Sequence, residues 1–598
     1  MLCGLEIHQR LEGKKLFNSC PTPLPDQKLP ENCARITRML NTAASELGVI
    51  DSASKFEHSR SRTFEYLAPE DFSCLVDSDE EPPTSINKEA LLQALKFSKH
   101  INASIVDEVQ VMRKAVTDGS NPSGFQRTSL ISIGGELKYE GGEIPITSLC
   151  IEEESAGIIS SNPDSVSYRL DRMGVPLIEI STEPVFTSAE EAAKGAQALG
   201  MALRMLDKVM RGLGTIRQDV NVSIPGGARV EIKGLQDLHL LKTLVENEVR
   251  RQEALAKISA EIKKRHKKMP TSLPFEDAGE IFLSTKSRLI SKALESGGAV
   301  LAAKLPLFAG ILGTELYSEK RFGSELSDYA KQAGGVKGLI HSDEDMQKYS
   351  ISPQEAEALK KFLKIKKEDA FILIADKKER AEPAIIAALS RALVLCVPGE
   401  TRKADEKGGS SFMRPLAGAH RMYPETDVRP ILITKELLQE AGELVSVGKR
   451  EKELCSLLGD DFGKRMLRSR NLPLFERLIA NGADAKLAAI TLEQTLVALR
   501  REGIDISLIG EDSLMEIFSL YKNEKITKAS FEPLLRLCSG SPEKSIASLA
   551  RENNLQKISG QELEALWKKE GGDMRKFMSK YGLVADAAEI MKMAKKKN

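Results

Sequence analysis

The chain has 598 residues, of which 41% are hydrophobic and 29% charged, a balance typical of globular proteins, and the length predicts about four domains. Lys+Arg and Asp+Glu both total 86, so the net charge indicates no polyanionic partner, although basic residues could still cluster on one surface. The 8 cysteines form no CxxC pair, so neither a zinc knuckle nor a disulfide framework is indicated. We find no signal peptide and no apolar run long enough to span a bilayer. We expect a cytoplasmic protein.

The first predicted strand is GLEIHQRL, residues 4–11. Side chains alternate along a strand, so Leu5 and Ile7 share one face while Glu6 and His8 share the other. The Cα atoms of Glu6 and His8 would then lie roughly 7 Å apart, close enough for both side chains to reach one ion. The alternative is a strand with one wet face, on which the two side chains are simply solvated or paired.

Helices and strands mix over the first 265 residues or so. NKEALLQALKFSKHI has the apolar spacing of a helix, and Ser188 three residues before Glu191 marks the start of another. GVPLIEISTEP, RQDVNVSIPGG and ARVEIKGL predict strands, the last two joined by a turn at residues 225–227. A long polar helix follows, α and β patterns alternate to about residue 402, and almost everything after residue 431 is helical.

Charged side chains recur in these strands where simple burial would favour apolar ones. They are Glu152, Glu153 and Glu154 after ITSLCI, Glu179 within PLIEI, Arg217 and Asp219 in RQDVNVSI, and Arg229, Glu231 and Lys233 in ARVEIKGL. An exposed antiparallel face would explain any one strand, but four such strands favour a shared functional concavity. Carboxylates suit a hard cation such as Mg²⁺, and Arg and Lys suit phosphate, whereas neither a P-loop nor a complete dinucleotide fingerprint is present.

Six motifs in order also carry a family resemblance: GLEIHQRLEGKKLFNSCPT, ITSLCIEEESAG, RMGVPLIEISTEP, GTIRQDVNVSI, ARVEIKGLQDL and MYPETDVRP. The chain resembles the B/E family of tRNA-dependent amidotransferases along essentially its whole length. Gln9 after His8 and an extra block at residues 269–406 match the archaeal E type rather than the bacterial B type.

The resemblance implies an α+β multidomain fold. A cradle-shaped catalytic domain with a mixed or antiparallel sheet would span residues 1–268 and be completed by residues 407–430. Residues 269–406 would form an α+β insertion similar to one in bacterial-type aspartyl-tRNA synthetases. All-helical regions would follow, a helical domain at 431–510 and a tRNA-binding tail domain at 511–598, whose basic end carries Lys595, Lys596 and Lys597.

The resemblance also implies an activity in protein synthesis. Such an enzyme uses ATP to phosphorylate the γ-carboxylate of glutamate mischarged on tRNA(Gln), and ammonia then displaces the phosphate to give Gln-tRNA(Gln). The ammonia would come from a D-type protein that resembles an asparaginase, in a heterotetramer of two D and two E subunits without membrane contact. Nothing in this chain resembles an amidase nucleophile, which agrees with that division of labour.

Carried onto this sequence, the family's metal and kinase site falls on His8, Glu152 and Glu179, which would position Mg²⁺, with Glu6 beside them. Arg217 and Lys233 would neutralise the transferring phosphate and so bind the nucleotide. The acidic run has one more carboxylate than usual, so Glu153 could share or replace the role of Glu152. Only Cys20 remains of the paired cysteines that many relatives carry, and we therefore expect no structural zinc.

Three alternatives stay open at this point. A bacterial protein of the B type would act on Asp-tRNA(Asn) or Glu-tRNA(Gln) with an amidase-like partner. A non-catalytic tRNA-binding protein would use the same carboxylates only structurally. A generic metallohydrolase would turn over substrate without tRNA.

Overall fold

The computed structural model describes residues 1–24, 27–41, 48–116, 118–266, 270–418 and 421–596. The chain divides into two compact units, Met1–Leu444 and Val445–Asn598. The four predicted domains are finer than this division, and their boundaries stay predictions. Among the described helices, none combines the length and the apolar character that crossing a bilayer requires.

The first unit contains the strands and nine of the helices that the described residues form. The strands are β1 (Leu2–Arg10), β2 (Cys33–Arg38), β3 (Thr63–Pro69), β4 (Ser104–Ile105), β5 (Glu108–Val109), β6 (Val111–Ala115), β7 (Phe125–Ile133), β8 (Glu136–Tyr139), β9 (Gly142–Glu153), β10 (Gly157–Ser161), β11 (Ser165–Arg169), β12 (Pro176–Thr182), β13 (Ile216–Ser223), β14 (Val230–Leu235), β15 (Glu276–Asp277), β16 (Ala299–Leu305), β17 (Glu315–Tyr317), β18 (Lys320–Arg321), β19 (Ile340–His341), β20 (Ala370–Asp376), β21 (Glu400–Ala404), β22 (Ser410–Pro415), β23 (Met422–Pro424) and β24 (Ile431–Leu432). The helices are α1 (Ser52–His58), α2 (Lys88–His100), α3 (Ala189–Leu203), α4 (Leu241–Arg265), α5 (Arg288–Glu295), α6 (Phe322–Gly334), α7 (Pro353–Phe362), α8 (Lys378–Leu393) and α9 (Lys435–Ala441).

The main sheet runs in the order β22-β21-β14-β13-β1-β12-β9-β7-β6-β23, with β4 paired to β7 and β8 paired to β9. Neighbouring strands are antiparallel except β14 and β21, which are parallel. The prediction of a mixed or antiparallel sheet is confirmed. Strand β1 lies near the middle, so its side chains have neighbours from both sides.

This sheet is strongly curled. Its two edge strands β22 and β23 are joined by the seven peptide steps from Pro415 to Met422, which can span at most about 25 Å. Ten flat strands would place those edges roughly 43 Å apart. The sheet therefore bends until its edges approach each other, which gives the open cradle that the family resemblance implies.

The two faces of the cradle differ in chemistry. Leu5 and Ile7 of β1 are fully buried on the outer face, where α3 packs against β1 and α4 against β13. A side chain added at Gly200 of α3 would meet Ile216, which alternates with Arg217 on β13. The concave face is left for the charged side chains, because the helices cover the apolar one.

Smaller sheets complete the first unit. One has the order β10-β11-β3-β2, with Tyr66 and Tyr168 stacked at a ring-centroid distance of 5.7 Å. Another has the order β15-β16-β20-β19 and packs a core that includes Phe282 and Phe371. This second core lies within the predicted insertion, whereas β21, near the end of that predicted block, pairs in the main sheet.

Helices are the only regular secondary structure among the described residues of the second unit, in agreement with the prediction. Its helices are α10 (Val447–Leu458), α11 (Asp460–Arg468), α12 (Leu472–Ala480), α13 (Ala485–Ile490), α14 (Leu496–Arg501), α15 (Glu511–Lys522), α16 (Phe531–Gly540), α17 (Ile546–Glu552), α18 (Gly560–Lys569), α19 (Met574–Tyr581) and α20 (Ala587–Lys596). Gly482 follows the C-terminal cap of α12 and has a φ of +84°, in the left-handed region that glycine tolerates, so the helix ends there. Of the predicted basic end, Lys597 and the side chains of Lys595 and Lys596 lie outside the described residues.

Candidate active site

Strand β1 presents Glu6, His8 and Arg10 on the concave face. His8 lies directly opposite Glu179 on β12 and Arg217 on β13, and Glu6 lies opposite Asp219. Directly opposite residues point to the same face of a sheet, so these side chains converge. Each of the three β1 residues is the centre of a separate cluster.

The imidazole cluster consists of His8, Glu152, Glu179 and Lys114. His8 Nε2 lies 3.1 Å from Glu179 Oε2, and Lys114 Nζ lies 2.5 Å from Glu152 Oε1 and 4.0 Å from Glu179 Oε2. One ligand atom from each of His8, Glu152 and Glu179 falls within 4.8 Å of the other two. The structure thus brings together the three residues to which the resemblance assigns the metal.

Burial and neighbouring charges shift the pKa values of the three potential ligands in this cluster. Burial raises the pKa of Glu152, and the charge of Glu179 raises it further. Burial also raises the pKa of Glu179, but Lys114 and the hydrogen bond from His8 outweigh burial and hold that pKa well below its usual range. Burial lowers the pKa of His8, and Glu179 more than reverses this. A cation bound here would therefore displace protons, which makes its binding pH-dependent.

The acidic cluster lies one strand repeat along β1 and consists of Glu6, Asp219, Glu231 and Lys233. Lys233 Nζ is 2.6 Å from Asp219 Oδ2 and 2.6 Å from Glu231 Oε1, so it is the internal counter-ion of this cluster. Burial lowers the pKa of Lys233, but the surrounding carboxylates outweigh burial and raise it. Oxygens of the three carboxylates lie within 4.8 Å of one another, which could also hold a cation. Lys233 belongs with Glu6 rather than with His8.

The side chains of the three consecutive glutamates at the end of β9 and in the following turn contact three different sets of residues. Glu152 joins the imidazole cluster, whereas Glu153 faces the other side of the sheet, where its Oε2 accepts from the backbone N–H of Arg127 at 2.9 Å. Glu154 is fully buried and contacts Arg217 Nη2 at 2.7 Å. The hypothesis that Glu153 could replace Glu152 finds no geometric support, because the two carboxylates lie on opposite faces.

The guanidinium cluster, centred on Arg10, consists of Arg10, Arg172, Arg217 and Glu154. All three guanidinium groups contact the single carboxylate of Glu154. Burial raises the pKa of Glu154, but the three arginines outweigh burial and hold it at about 2. The cluster therefore has a formal charge of +2, and Arg217 is part of this strongly basic group.

Cys20 lies close to a second cysteine that is distant in sequence. Sulfur atoms of Cys20 and Cys74 and an oxygen of Asp77 fall within 4.8 Å of one another. Asp77 is already engaged by Lys15 Nζ at 2.8 Å and by Asn18 Nδ2 at 3.0 Å. A structural zinc takes four ligands, and this group offers three among the described residues. The expectation of no structural zinc stays a prediction.

Comparison with known proteins decides the family. A profile described as the GatB/GatE catalytic domain matches residues 1–439, well over half of the chain. The chain belongs to the GatB/GatE family. A second profile, described as a GatB domain, matches residues 473–570 in the helical unit.

GatB/GatE relatives are similar over nearly the whole chain. A protein of Methanococcus vannielii is 41% identical over 572 residues, which cover 94% of this chain and 89% of the relative. Proteins of Methanocaldococcus jannaschii and Pyrococcus furiosus are each 42% identical over 573 residues, covering 94% of this chain and 90% of each relative. All three are named as the E subunit of glutamyl-tRNA(Gln) amidotransferase. The predicted membership of an amidotransferase family is confirmed.

Two basic residues of this GatB/GatE site do not follow from the motifs. Lys114 comes from the short strand β6, and its only sequence signal is alternation with Met112 on one face. Arg421 directly precedes β23. Burial and the charge of Arg414 lower the pKa of Arg421, and the charges of Glu231 and Glu152 offset part of this effect. Arg421 therefore lies near both the imidazole cluster and the acidic cluster. Its place in the sequence, between two edge strands, does not predict this proximity.

Proposed function

We propose that this chain activates the γ-carboxylate of glutamate on Glu-tRNA(Gln) with ATP and amidates it to give Gln-tRNA(Gln). The observation that carries the proposal is the convergence of His8, Glu152 and Glu179 from three neighbouring strands, in a chain whose relatives are named as the E subunit of glutamyl-tRNA(Gln) amidotransferase. Ammonia would come from an asparaginase-like protein of the D type, in a complex of two D and two E subunits. Helices of the second unit would contact the tRNA.

The donor set supports a Mg²⁺ site at the imidazole cluster. Mg²⁺ in nucleotide sites uses one or two protein carboxylates and keeps waters and phosphate oxygens for the remaining positions. Glu152 and Glu179 supply those carboxylates, and His8 would be the third protein ligand. When bound, the cation would neutralise charge on the phosphate and on the acceptor carboxylate.

The γ-carboxylate must be phosphorylated before ammonia can react with it, and basic residues near the imidazole cluster would assist that step. A carboxylate oxygen is a poor leaving group, and transfer of a phosphoryl group converts it into a good one that ammonia displaces. Arg217 and Lys233 would hold the phosphate charge as it develops, since preorganised cations act most strongly in a partly desolvated site. The raised pKa of Lys233 keeps its ammonium group charged for this role. Glu6 would orient Lys233 from the neighbouring position on β1.

The test is ATP hydrolysis that depends on Glu-tRNA(Gln), measured on the complex of this chain with its ammonia-supplying partner. Glu179→Ala should reduce formation of the γ-phosphorylated intermediate by about 100-fold or more, because a ligand and the partner of His8 are both lost. Glu183→Ala, on the exposed end after the same strand, is the matched control and should retain the activity. Full phosphorylation by Glu179→Ala would show that the site is wrongly assigned.

A further inference from the structure

The guanidinium cluster has more positive charge than its own carboxylate neutralises. Arg172 Nη2 and Arg217 Nη2 each lie 2.7 Å from Glu154 Oε1, and Arg10 Nε donates to Glu154 Oε2. Within 4 Å, Glu154 is the only carboxylate that the described residues bring to these three arginines. Three cations and one anion leave a formal charge of +2 for which the described residues supply no further carboxylate within 4 Å.

The cluster has one buried hydrogen-bond donor without a partner, and two of its guanidinium side chains are partly exposed. The Nε of Arg172 is buried and has no hydrogen-bond partner within the described part of the chain. The side chains of Arg172 and Arg217 are 31% and 30% exposed, which leaves their outer N–H groups open to an incoming anion.

We propose that Arg10, Arg172 and Arg217 form a binding site for a phosphate group of the nucleotide, with Glu154 as the residue that positions all three. This inference rests on the proposed function and deepens it, because Arg217 alone was expected from the sequence. The planar guanidinium fork matches two phosphate oxygens at once, and a buried carboxylate fixes the forks before the ligand arrives.

The position on the sheet selects the nucleotide as the ligand. Arg217 lies directly opposite His8, and Arg10 follows His8 on the same face of β1 at a Cα spacing of roughly 7 Å. A polyphosphate chain can therefore contact the guanidinium cluster with one phosphate while another reaches the imidazole cluster. A phosphodiester of the tRNA offers the same oxygens, and the experiment separates the two sources.

The experiment measures binding of radiolabelled ATP to the full-length chain by equilibrium dialysis in EDTA, so that no metal contributes. Arg172→Gln should raise the Kd for ATP by about tenfold or more, since charge-assisted hydrogen bonds are lost. Arg35→Gln makes the same charge change at an exposed ion pair with Glu65 and should leave the Kd unchanged. Arg172→Lys keeps the charge without the fork, so we expect an intermediate Kd from a less disruptive substitution.

Other outcomes would overturn the inference. If Arg172→Gln weakens the gel-shift affinity for Glu-tRNA(Gln) and leaves the ATP Kd unchanged, the cluster binds RNA phosphate instead. If neither affinity changes, the excess charge is structural only. Failure of the proposed function is distinguishable, because it is measured as phosphorylation dependent on Glu-tRNA(Gln) in Glu179→Ala, whereas this inference is measured as the Kd for ATP of the arginine variants in EDTA.

Discussion

Glu152 and Glu153 allow the same chemical change to be made at two adjacent positions that face opposite sides of the sheet. We predict that Glu152→Gln weakens divalent-cation binding and the phosphorylation of Glu-tRNA(Gln), whereas Glu153→Gln affects neither. Gln matches Glu in volume and its amide oxygen can still accept a hydrogen bond from Lys114 or from the backbone N–H of Arg127, so both variants should remain folded.

The magnitude follows from the loss of one unit charge beside a dication. At about 4 Å and an effective dielectric constant of about 20, that attraction is roughly 8 kcal/mol, most of which dehydration of the ion offsets. If a quarter remains, Glu152→Gln loses about 2 kcal/mol, or roughly a 30-fold increase in Kd. Titration with Mn²⁺, followed by electron paramagnetic resonance, measures that Kd directly.

Activity and stability are then measured on the same two variants. ATP hydrolysis dependent on Glu-tRNA(Gln) should fall with Glu152→Gln in proportion to metal occupancy, and thermal unfolding should show both variants folded. Equal weakening by Glu153→Gln would refute the reasoning, since its carboxylate lies on the other face against Arg127. So would an unchanged Kd in Glu152→Gln.

Three further predictions concern the surroundings of the site. Lys114→Met should tighten Mn²⁺ binding by about tenfold, because the lysine competes with the cation for the carboxylates of the imidazole cluster, and weaker binding would contradict this. Burial raises the pKa of Glu425, but hydrogen bonds from Arg113, Asp427 and Arg127 outweigh burial and lower that pKa from 4.5 to about 2. Glu425→Gln should therefore lower the free energy of unfolding by about 3 kcal/mol at pH 7. In urea titrations, this difference from wild type should shrink as the pH falls from 4.5 towards 2. Gly119→Ala should destabilise by about 3 kcal/mol, because its Cβ would lie 2.1 Å from Phe64 at φ +86°, whereas Gly124→Ala at φ +77° meets no atom within 4 Å and should cost about 1 kcal/mol in thermal unfolding.

The strands of the site were predictable because alternation is a local property. Alternation places Glu6 with His8 on β1, and the same rule separates Glu153 from Glu152 once β9 is known to be a strand. The PGG turn at residues 225–227 likewise sets β13 and β14 side by side, because a short turn joins antiparallel neighbours. These features need only a few consecutive residues.

Which strands become neighbours is a different kind of information. β21 follows β14 by more than 160 residues and pairs with it in parallel, and no local pattern near residue 400 records that partner. Lys114 reaches Glu152 only because β6 and β9 both flank β7. Arg172 lies in the turn before β12, outside any alternating run. The sequence alone therefore predicts the carboxylates of the site better than the cations that neutralise them.

The charges along the concave face of β1 change sign in a fixed order. The acidic cluster around Glu6 has a formal charge of −2, the imidazole cluster has −1 when His8 is counted as neutral, and the guanidinium cluster at Arg10 has +2. A ligand of one sign could satisfy only one end of this row, whereas a polyanion accompanied by divalent cations satisfies both ends at once. The equal totals of 86 acidic and 86 basic residues conceal this polarity, because a sum over the chain carries no information about where the charges lie.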